Sequence, residues 1–157
     1  MPNAPLYYED LAIGRRFTTG TVDVSAAEII EFASQYDPQP FHLDEAAGRA
    51  SVFGGLVASG WMTGLLTMRL LLTGEMQLAG GMIGLGVEAL QWPRPVRPGD
   101  RLTAVTEVLE MRPSVSKPDY GVVKLRTTTT NQAGQTVQVF QVNQLVLRRP
   151  AKKDLAN

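Results

Sequence analysis

The sequence contains no cysteine and only one histidine. Without cysteine there can be no disulfide bond, no catalytic thiolate and no zinc site with cysteine ligands. A metal site built from several histidines of one chain is also excluded, because His42 stands alone. Nothing in these residue types indicates a bound metal.

An excess of charge of one sign is also lacking, since 15 Lys and Arg residues balance 15 Asp and Glu residues. Basic residues cluster only near the end of the chain, at Arg148, Arg149, Lys152 and Lys153. Nucleic acid is therefore not an expected partner. Hydrophobic residues make up 44% of the 157 residues, which is enough for the core of one domain.

Long uninterrupted apolar runs are absent as well. The most apolar stretch, Leu56–Leu72, is broken by serine, threonine, glycine and arginine, so it predicts a buried helix and not a membrane span. Met1–Tyr8 shows neither the basic nor the apolar part of a signal peptide. We expect a soluble, cytoplasmic protein without membrane association.

One strand and one capped helix are predicted at the start of the chain. Phe17–Val24 is rich in threonine and valine, as strands are. Ser25 followed by Glu28 forms a capping box, and apolar residues at helical spacing continue the helix to about Tyr36. The prolines that follow end this helix, because a residue before proline is disfavoured in the α conformation.

Two more helical segments precede the second half. Asp44 is the expected cap of one or two turns that reach Ala50. A longer helix is predicted from about Ser59 to Leu72, with Gly74 as its C-cap. This helix is apolar on almost every face, so we expect the protein to enclose it.

The second half favours strands, which are rich in valine, threonine and leucine. The predicted strands are Ile83–Trp92, Arg101–Met111, Gly121–Thr130 and Val137–Leu147. Sequential strands with short connections pair antiparallel. The prediction is therefore an α+β domain over residues 1–149 with the sheet wrapped around the long helix, followed by a frayed tail over 150–157.

The only histidine lies five residues after an aspartate, in a segment stiffened by two prolines. Pro38 and Pro40 restrict the backbone between Asp37 and His42, so the carboxylate and the imidazole can be held at a defined separation. A general acid/base pair requires such a separation. A helix stop at Asp37 and a packed His42 would explain the same residues without chemistry.

The start of the long helix offers a second candidate group. Backbone N–H groups at a helix N-terminus suit a developing oxyanion, and Gly60 has no Cβ to keep a carbonyl oxygen away. An N-cap at Ser59 with a glycine required for packing is an equally good interpretation. Elsewhere, Arg94, Arg97 and Lys117 could meet a nucleotide phosphate, although solvated surface positions explain them better.

Three segments together resemble the MaoC-like dehydratases, the family of (R)-specific enoyl-CoA hydratases. The run Asp37-Pro-Gln-Pro-Phe-His42-Leu-Asp44 resembles the hydratase signature, and Phe53–Gly60 and Trp92–Asp100 are similar to later segments of the family. The resemblance extends over about Tyr8 to Arg149 and implies a hot-dog fold, in which a helical overhang carries the catalytic loop. It also implies a homodimer or higher homo-oligomer with an acyl-CoA tunnel near the interface.

The activity implied by the resemblance is addition of water to a trans-2-enoyl-CoA, giving a (3R)-hydroxyacyl-CoA without a metal or redox cofactor. Asp37 would take the water proton, His42 would orient the water, and the Gly60 N–H would polarise the thioester carbonyl. Gln39, Ser59 and Trp61 are expected to contact the substrate. Which of Asp37 and His42 is the base stays open, because coupled groups titrate as a pair.

Three positions depart from the family pattern: Gln39 replaces an asparagine, Ser59 replaces a histidine, and Met68, beside Thr67, stands where some relatives have serine. They bear on the acyl group that is accepted. Two alternatives remain: a hot-dog thioesterase, or a non-catalytic subunit that binds acyl-CoA. The long helix contains no carboxylate, which is unfavourable for the thioesterase, and the Asp37/His42 pair is unfavourable for the non-catalytic subunit.

Overall fold

The computed structural model describes residues 4–151, and the predicted tail residues 152–157 lie outside that range. The helices are α1 (Ala26–Tyr36), α2 (Pro40–Leu43), α3 (Glu45–Ala50) and α4 (Gly60–Thr73). The strands are β1 (Arg16–Asp23), β2 (Ile83–Gln91), β3 (Arg101–Pro113), β4 (Tyr120–Thr130) and β5 (Thr136–Leu147). A short 3-10 turn, Tyr8–Asp10, precedes β1.

The five strands form one antiparallel sheet in the order β1-β3-β4-β5-β2. Long strands that twist together curve the sheet around α4, and the result is the predicted α+β hot-dog fold. α4 packs toward the β1 and β3 side of the sheet. The concave face of β5 and β2 is left more open, and this asymmetry creates the clefts described below.

The polar residues that were predicted as helix caps occupy those positions. In α1 the Ser25 hydroxyl accepts from the Glu28 N–H at 3.1 Å, and the Glu28 carboxylate accepts from the Ser25 N–H at 3.3 Å, so the capping box is confirmed. Asp44 caps α3 by accepting from the Ala47 N–H at 2.9 Å. These local bonds set the direction in which the chain enters each helix.

Two expectations about the helices need correction. The stiff segment between Asp37 and Asp44, expected to be a loop, contains regular structure, because Pro40 starts the one-turn helix α2 at a position where its missing N–H costs nothing. α4 is not enclosed on all sides within one chain, since a stripe of apolar side chains faces outward. The exposed members of the stripe are Trp61, Leu65, Met68 and Leu72.

The buried core has two parts. One lies where α1 and α4 meet β1 and β3 and is centred on Ile29, Met62 and Leu102. The other fills the opposite end of the sheet around Phe17, with further members from β4 and β5. Burial of large aliphatic side chains contributes roughly 1.5–3 kcal/mol each, so these two clusters hold α4 and the helical overhang on the sheet.

Candidate active site

His42 is held in one orientation by the backbone beside it. It lies in α2, it is only 5% exposed, and its Nδ1 is 2.7 Å from the carbonyl oxygen of Val57. The Phe41 ring packs edge-on against the imidazole, with centroids 4.6 Å apart. Because a carbonyl can only accept a hydrogen bond, the Nδ1 atom carries the proton, and Nε2 has the free lone pair when the ring is neutral.

Asp37 faces this lone pair. Its Oδ2 lies 3.3 Å from His42 Nε2, and its side chain is 19% exposed. The other carboxylate oxygen, Oδ1, accepts from the Gln39 amide at 2.6 Å. The carboxylate therefore has one oxygen fixed by Gln39 and the other directed at the imidazole, as a proton-transfer pair requires.

The environment keeps Asp37 ionised. Burial raises the pKa of the Asp37 carboxyl, but hydrogen bonds from the Gln39 and Ser59 side chains, together with the charge of His42, outweigh burial and leave this pKa below its ordinary value. Asp37 is consequently an anion throughout the neutral range. Ser59 thus has two contacts, because its Oγ also accepts from the Trp61 N–H at 3.3 Å.

Asp37 and His42 line a cavity of about 490 Å³, here called the Asp/His cavity. Its wall also includes Gln39, Ser59, Gly60, Trp61, Thr63 and Trp92. The six site residues predicted from the sequence therefore all border this one cavity; they are Asp37, Gln39, His42, Ser59, Gly60 and Trp61. A volume of this size suits a small-molecule pocket.

Gly60 opens α4 at the edge of this cavity, with Ser59 as N-cap. A Cβ on Gly60 would lie 2.6 Å from the indole ring of Trp92, so the glycine has a packing role in addition to any role in catalysis. Trp92 also meets Trp61 edge-on, with ring centroids 5.3 Å apart. The two tryptophans therefore form one wall next to the start of α4.

Trp92 starts a chain of hydrogen-bonded polar side chains that runs from the partly exposed indole into the core and was not predicted from the sequence. Its indole N–H donates to Gln138 Oε1 at 2.8 Å, and the Gln138 amide donates to the Thr67 hydroxyl at 3.2 Å. Thr67 in turn meets the hydroxyl of Thr129 at 2.8 Å. These bonds connect the residue directly after β2 to β5, α4 and β4, and they fix the indole beside Gly60.

Two further, mainly apolar spaces border α4 beyond the Asp/His cavity. The helix–sheet cleft, about 490 Å³, shares Trp61 and Trp92 with that cavity and lies between α4 and the strands β2 and β5. The methionine chamber, about 240 Å³, shares Met68, Val87 and Phe140 with the cleft. The three spaces therefore adjoin one another, in the order Asp/His cavity, helix–sheet cleft, methionine chamber.

A model of the MaoC-like domain matches residues 10–131. The chain belongs to this MaoC-like family. A MaoC-like dehydratase from Rhodospirillum rubrum is 52% identical and superposes with a TM-score of 0.89, covering 93% of this chain and 99% of that one. The R-hydratase PhaJ1 from Pseudomonas aeruginosa is 28% identical, with a TM-score of 0.75 over 92% of this chain and 88% of its own.

A curated relative of the MaoC-like chain is the YdeM protein of Bacillus subtilis, 32% identical over 135 residues, which are 85% of this chain and 92% of that protein. Within residues 4–151 no three His, Asp or Glu side chains are grouped so that they could hold a metal ion. The described helices include none that is long and apolar enough to cross a membrane.

The three basic residues considered as phosphate contacts in the MaoC-like chain, Arg94, Arg97 and Lys117, have different surroundings. Arg94 borders the Asp/His cavity. Arg97 donates through its guanidinium to the carbonyl of Phe53 at 2.6 Å, so it ties the segment before α4 to the turn before β3. Lys117 lies far along the sheet beside a separate surface groove, away from the cavity. Of the three, Arg94 is the one placed to meet a ligand at the cavity.

Proposed function

We propose that the protein is a hydratase that adds water reversibly to a trans-2-enoyl-CoA to give a (3R)-hydroxyacyl-CoA. The observation that carries this proposal is the 3.3 Å separation between Asp37 Oδ2 and His42 Nε2 at the wall of the Asp/His cavity. Membership of the MaoC-like family supports it, because a relative of the same fold is described as an R-hydratase.

The reacting water is proposed to lie against both Asp37 and His42. When Asp37 is ionised and the imidazole is neutral, Oδ2 and Nε2 are both acceptors and can be joined only through a proton, and a water molecule that touches both supplies it. As the water oxygen bonds to C3, Asp37 takes the released proton, and the coupled pair returns one proton to C2 through His42. The C2–C3 double bond becomes single, and the enzyme groups are regenerated.

The thioester carbonyl must hold negative charge while C2 is being protonated. We propose that the Gly60 N–H, at the positive end of α4, donates to this oxygen. Gln39 and Ser59 keep the Asp37 carboxylate in place, and Trp61 contacts the substrate at the cavity wall. The acyl chain then extends from the Asp/His cavity into the helix–sheet cleft.

A homodimer is part of the proposal. The exposed stripe of α4 faces β2 across the helix–sheet cleft, and β2 is an edge strand that pairs only with β5 among the described residues. Leu65 in the stripe is 61% exposed and Val87 on β2 is 60% exposed. An unprotected apolar edge of this kind is the usual mark of a protein interface, and a second copy is the partner that would close the cleft.

The thioesterase alternative has less support. Residues Gly60–Thr73 of α4 contain no carboxylate that could attack or activate water above a thioester carbonyl. A non-catalytic subunit would not require a carboxylate that is kept ionised beside an oriented imidazole.

A spectrophotometric assay with crotonyl-CoA tests the proposal. We expect the enoyl absorbance to fall without release of free thiol, and chiral analysis to identify the (3R) product. Release of free CoA would indicate the thioesterase instead. Unchanged absorbance over a series of enoyl chain lengths would contradict hydration and leave the role of a binding subunit.

A further inference from the structure

The methionine chamber contains one polar side chain with an unused hydrogen-bonding atom. Gln144 is only 5% exposed, and its Oε1 has no hydrogen-bond partner among the described residues. Most of the residues that line the chamber are apolar, among them Met68, Leu71, Met76 and Met82, and the hydroxyl of the polar Thr127 is already bonded to Thr106. A buried acceptor without a partner costs roughly 1–3 kcal/mol, so this amide requires an explanation.

Gln144 forms part of the chamber wall, and its Oε1 is buried there without a partner among the described residues. On the sheet it stands between Val123 of β4 and Gly84 of β2. Gly84 has no side chain to cover the amide from the β2 side. The contrast with Gln138 on the same face of β5 is clear, because Gln138 donates to Thr67 and accepts from Trp92. The amide of Gln138 is therefore bonded within the protein, whereas Oε1 of Gln144 is available to a ligand that can donate a hydrogen bond.

The chamber lies at the far end of the proposed acyl path. It shares Met68, Val87 and Phe140 with the helix–sheet cleft, and the cleft shares Trp61 and Trp92 with the Asp/His cavity. Along α4 the distance from Gly60 to Met68 or Leu71 is about 12–16 Å at the helical rise of ~1.5 Å per residue. A group at the distal end of an acyl chain can therefore reach Gln144.

We propose that Gln144 recognises a hydrogen-bond donor, such as a hydroxyl group, on the distal part of the acyl chain. The inference rests on the proposed function and makes it more specific, because it names hydroxylated acyl thioesters as the preferred substrates. Oε1 accepts from the substrate hydroxyl, and the methionines surround the methylene groups before it. A site with a buried polar group discriminates strongly against an analogue that leaves this group unpaired.

The chain length follows from the geometry. Three bonds of an extended chain span about 3.3–3.6 Å, so roughly ten to fourteen bonds cover the distance along α4. The substrates for the test are therefore trans-2-enoyl-CoAs of increasing length in matched pairs, one plain and one with a terminal hydroxyl. We expect kcat/KM of the wild type to favour the hydroxylated member by about tenfold at the best length, as one added hydrogen bond allows.

Gln144→Leu is the diagnostic variant, and Gln141→Leu is its matched control. Gln141 lies three residues earlier on β5 and so on the opposite face of the sheet, opposite Glu88 and Arg126. Gln144→Leu should abolish the preference for the hydroxyl and retain the plain substrate, while Gln141→Leu should leave the preference unchanged. An equal preference in wild type and Gln144→Leu, or no preference at any length, would overturn the proposal.

Two further measurements distinguish substrate recognition by Gln144 from a structural role of its amide and from failure of the proposed hydration. Replacement of an unpaired acceptor by leucine should keep or raise Tm, so a loss of more than about 5 °C would mean that the amide is bonded within the protein and would refute the proposal. Affinities for saturated acyl-CoA and ω-hydroxyacyl-CoA, measured by calorimetry, do not depend on turnover. If the wild type hydrates neither series yet binds the hydroxylated ligand about tenfold tighter, the proposed hydration fails and the recognition by Gln144 stands.

Discussion

Replacing Asp37 by asparagine removes the negative charge beside His42 and leaves the shape of the side chain almost unchanged. The asparagine oxygen can still accept from the Gln39 amide, which bonds Asp37 Oδ1 at 2.6 Å. The new NH₂ group takes the place of Oδ2, 3.3 Å from His42 Nε2, and can donate to its lone pair. The variant should therefore fold, with a change in Tm of only a few degrees.

The expected loss is catalytic. An amide cannot accept the proton of the reacting water at neutral pH, and general acid–base groups contribute about 10²–10⁴-fold to turnover. We expect kcat/KM for an enoyl-CoA to fall at least about 100-fold, which corresponds to roughly 2.7 kcal/mol of transition-state stabilisation. The measurement is the initial loss of enoyl absorbance under conditions where Tm verifies the folded state.

His42→Ala is the companion variant, because it removes the second member of the pair. If the two groups act on one water, the double variant should be little slower than the slower single variant. Additive losses, with the double variant slower by the product of the two factors, would contradict a shared water. Activity of folded Asp37→Asn within about fivefold of the wild type would refute the acid–base reasoning as a whole.

Two further predictions concern acid pH and assembly. Because the pKa of Asp37 is lowered in the folded state, its ionised form stabilises the fold above pH 3.8, and this contribution is lost as the pH falls through the folded-state pKa. The difference in unfolding free energy between the wild type and Asp37→Asn, measured by urea titration, should therefore shrink below about pH 4. A constant difference down to pH 2 would contradict this prediction. Leu65→Lys should convert the proposed dimer to monomers in analytical ultracentrifugation. Val115→Lys, at a 94% exposed position in the turn between β3 and β4, should leave the dimer intact. A monomeric wild type, or dimers in both variants, would contradict the proposed interface.

Features that depend on residues close in the sequence could be predicted. Ser25 and Glu28 are three residues apart, and their reciprocal hydrogen bonds follow from the capping-box pattern alone. Asp37 and His42 are five residues apart in a stiff segment, and the structure brings them to 3.3 Å. The hot-dog fold followed from the strand pattern together with the family resemblance, and it is confirmed.

Features that depend on distant residues could not be predicted in the same way. Trp92 and Gln138 are 46 residues apart, and only the finished sheet places their polar atoms at 2.8 Å. The one-turn helix α2 was missed because a proline both stops one helix and starts another. The exposure of α4 was missed because an apolar helix looks the same whether its own chain or a second copy covers it.

The sequence leaves both a catalytic and a packing role open for Gly60, and the structure shows the contact with Trp92 on which the packing role depends. The proposed bond to the thioester carbonyl uses only the Gly60 N–H, which alanine retains, but a Cβ would lie 2.6 Å from the Trp92 indole. Gly60→Ala should therefore displace the indole, lengthen its hydrogen bond to Gln138 and lower both Tm and turnover. Trp92→Phe removes the N–H donor and part of the ring, so in that background the alanine should cost clearly less Tm. If Gly60→Ala no longer lowers Tm in the Trp92→Phe protein but still lowers turnover, close approach of the carbonyl oxygen to residue 60 is needed as well. If it lowers neither Tm nor turnover in that protein, the glycine serves the packing of Trp92 alone.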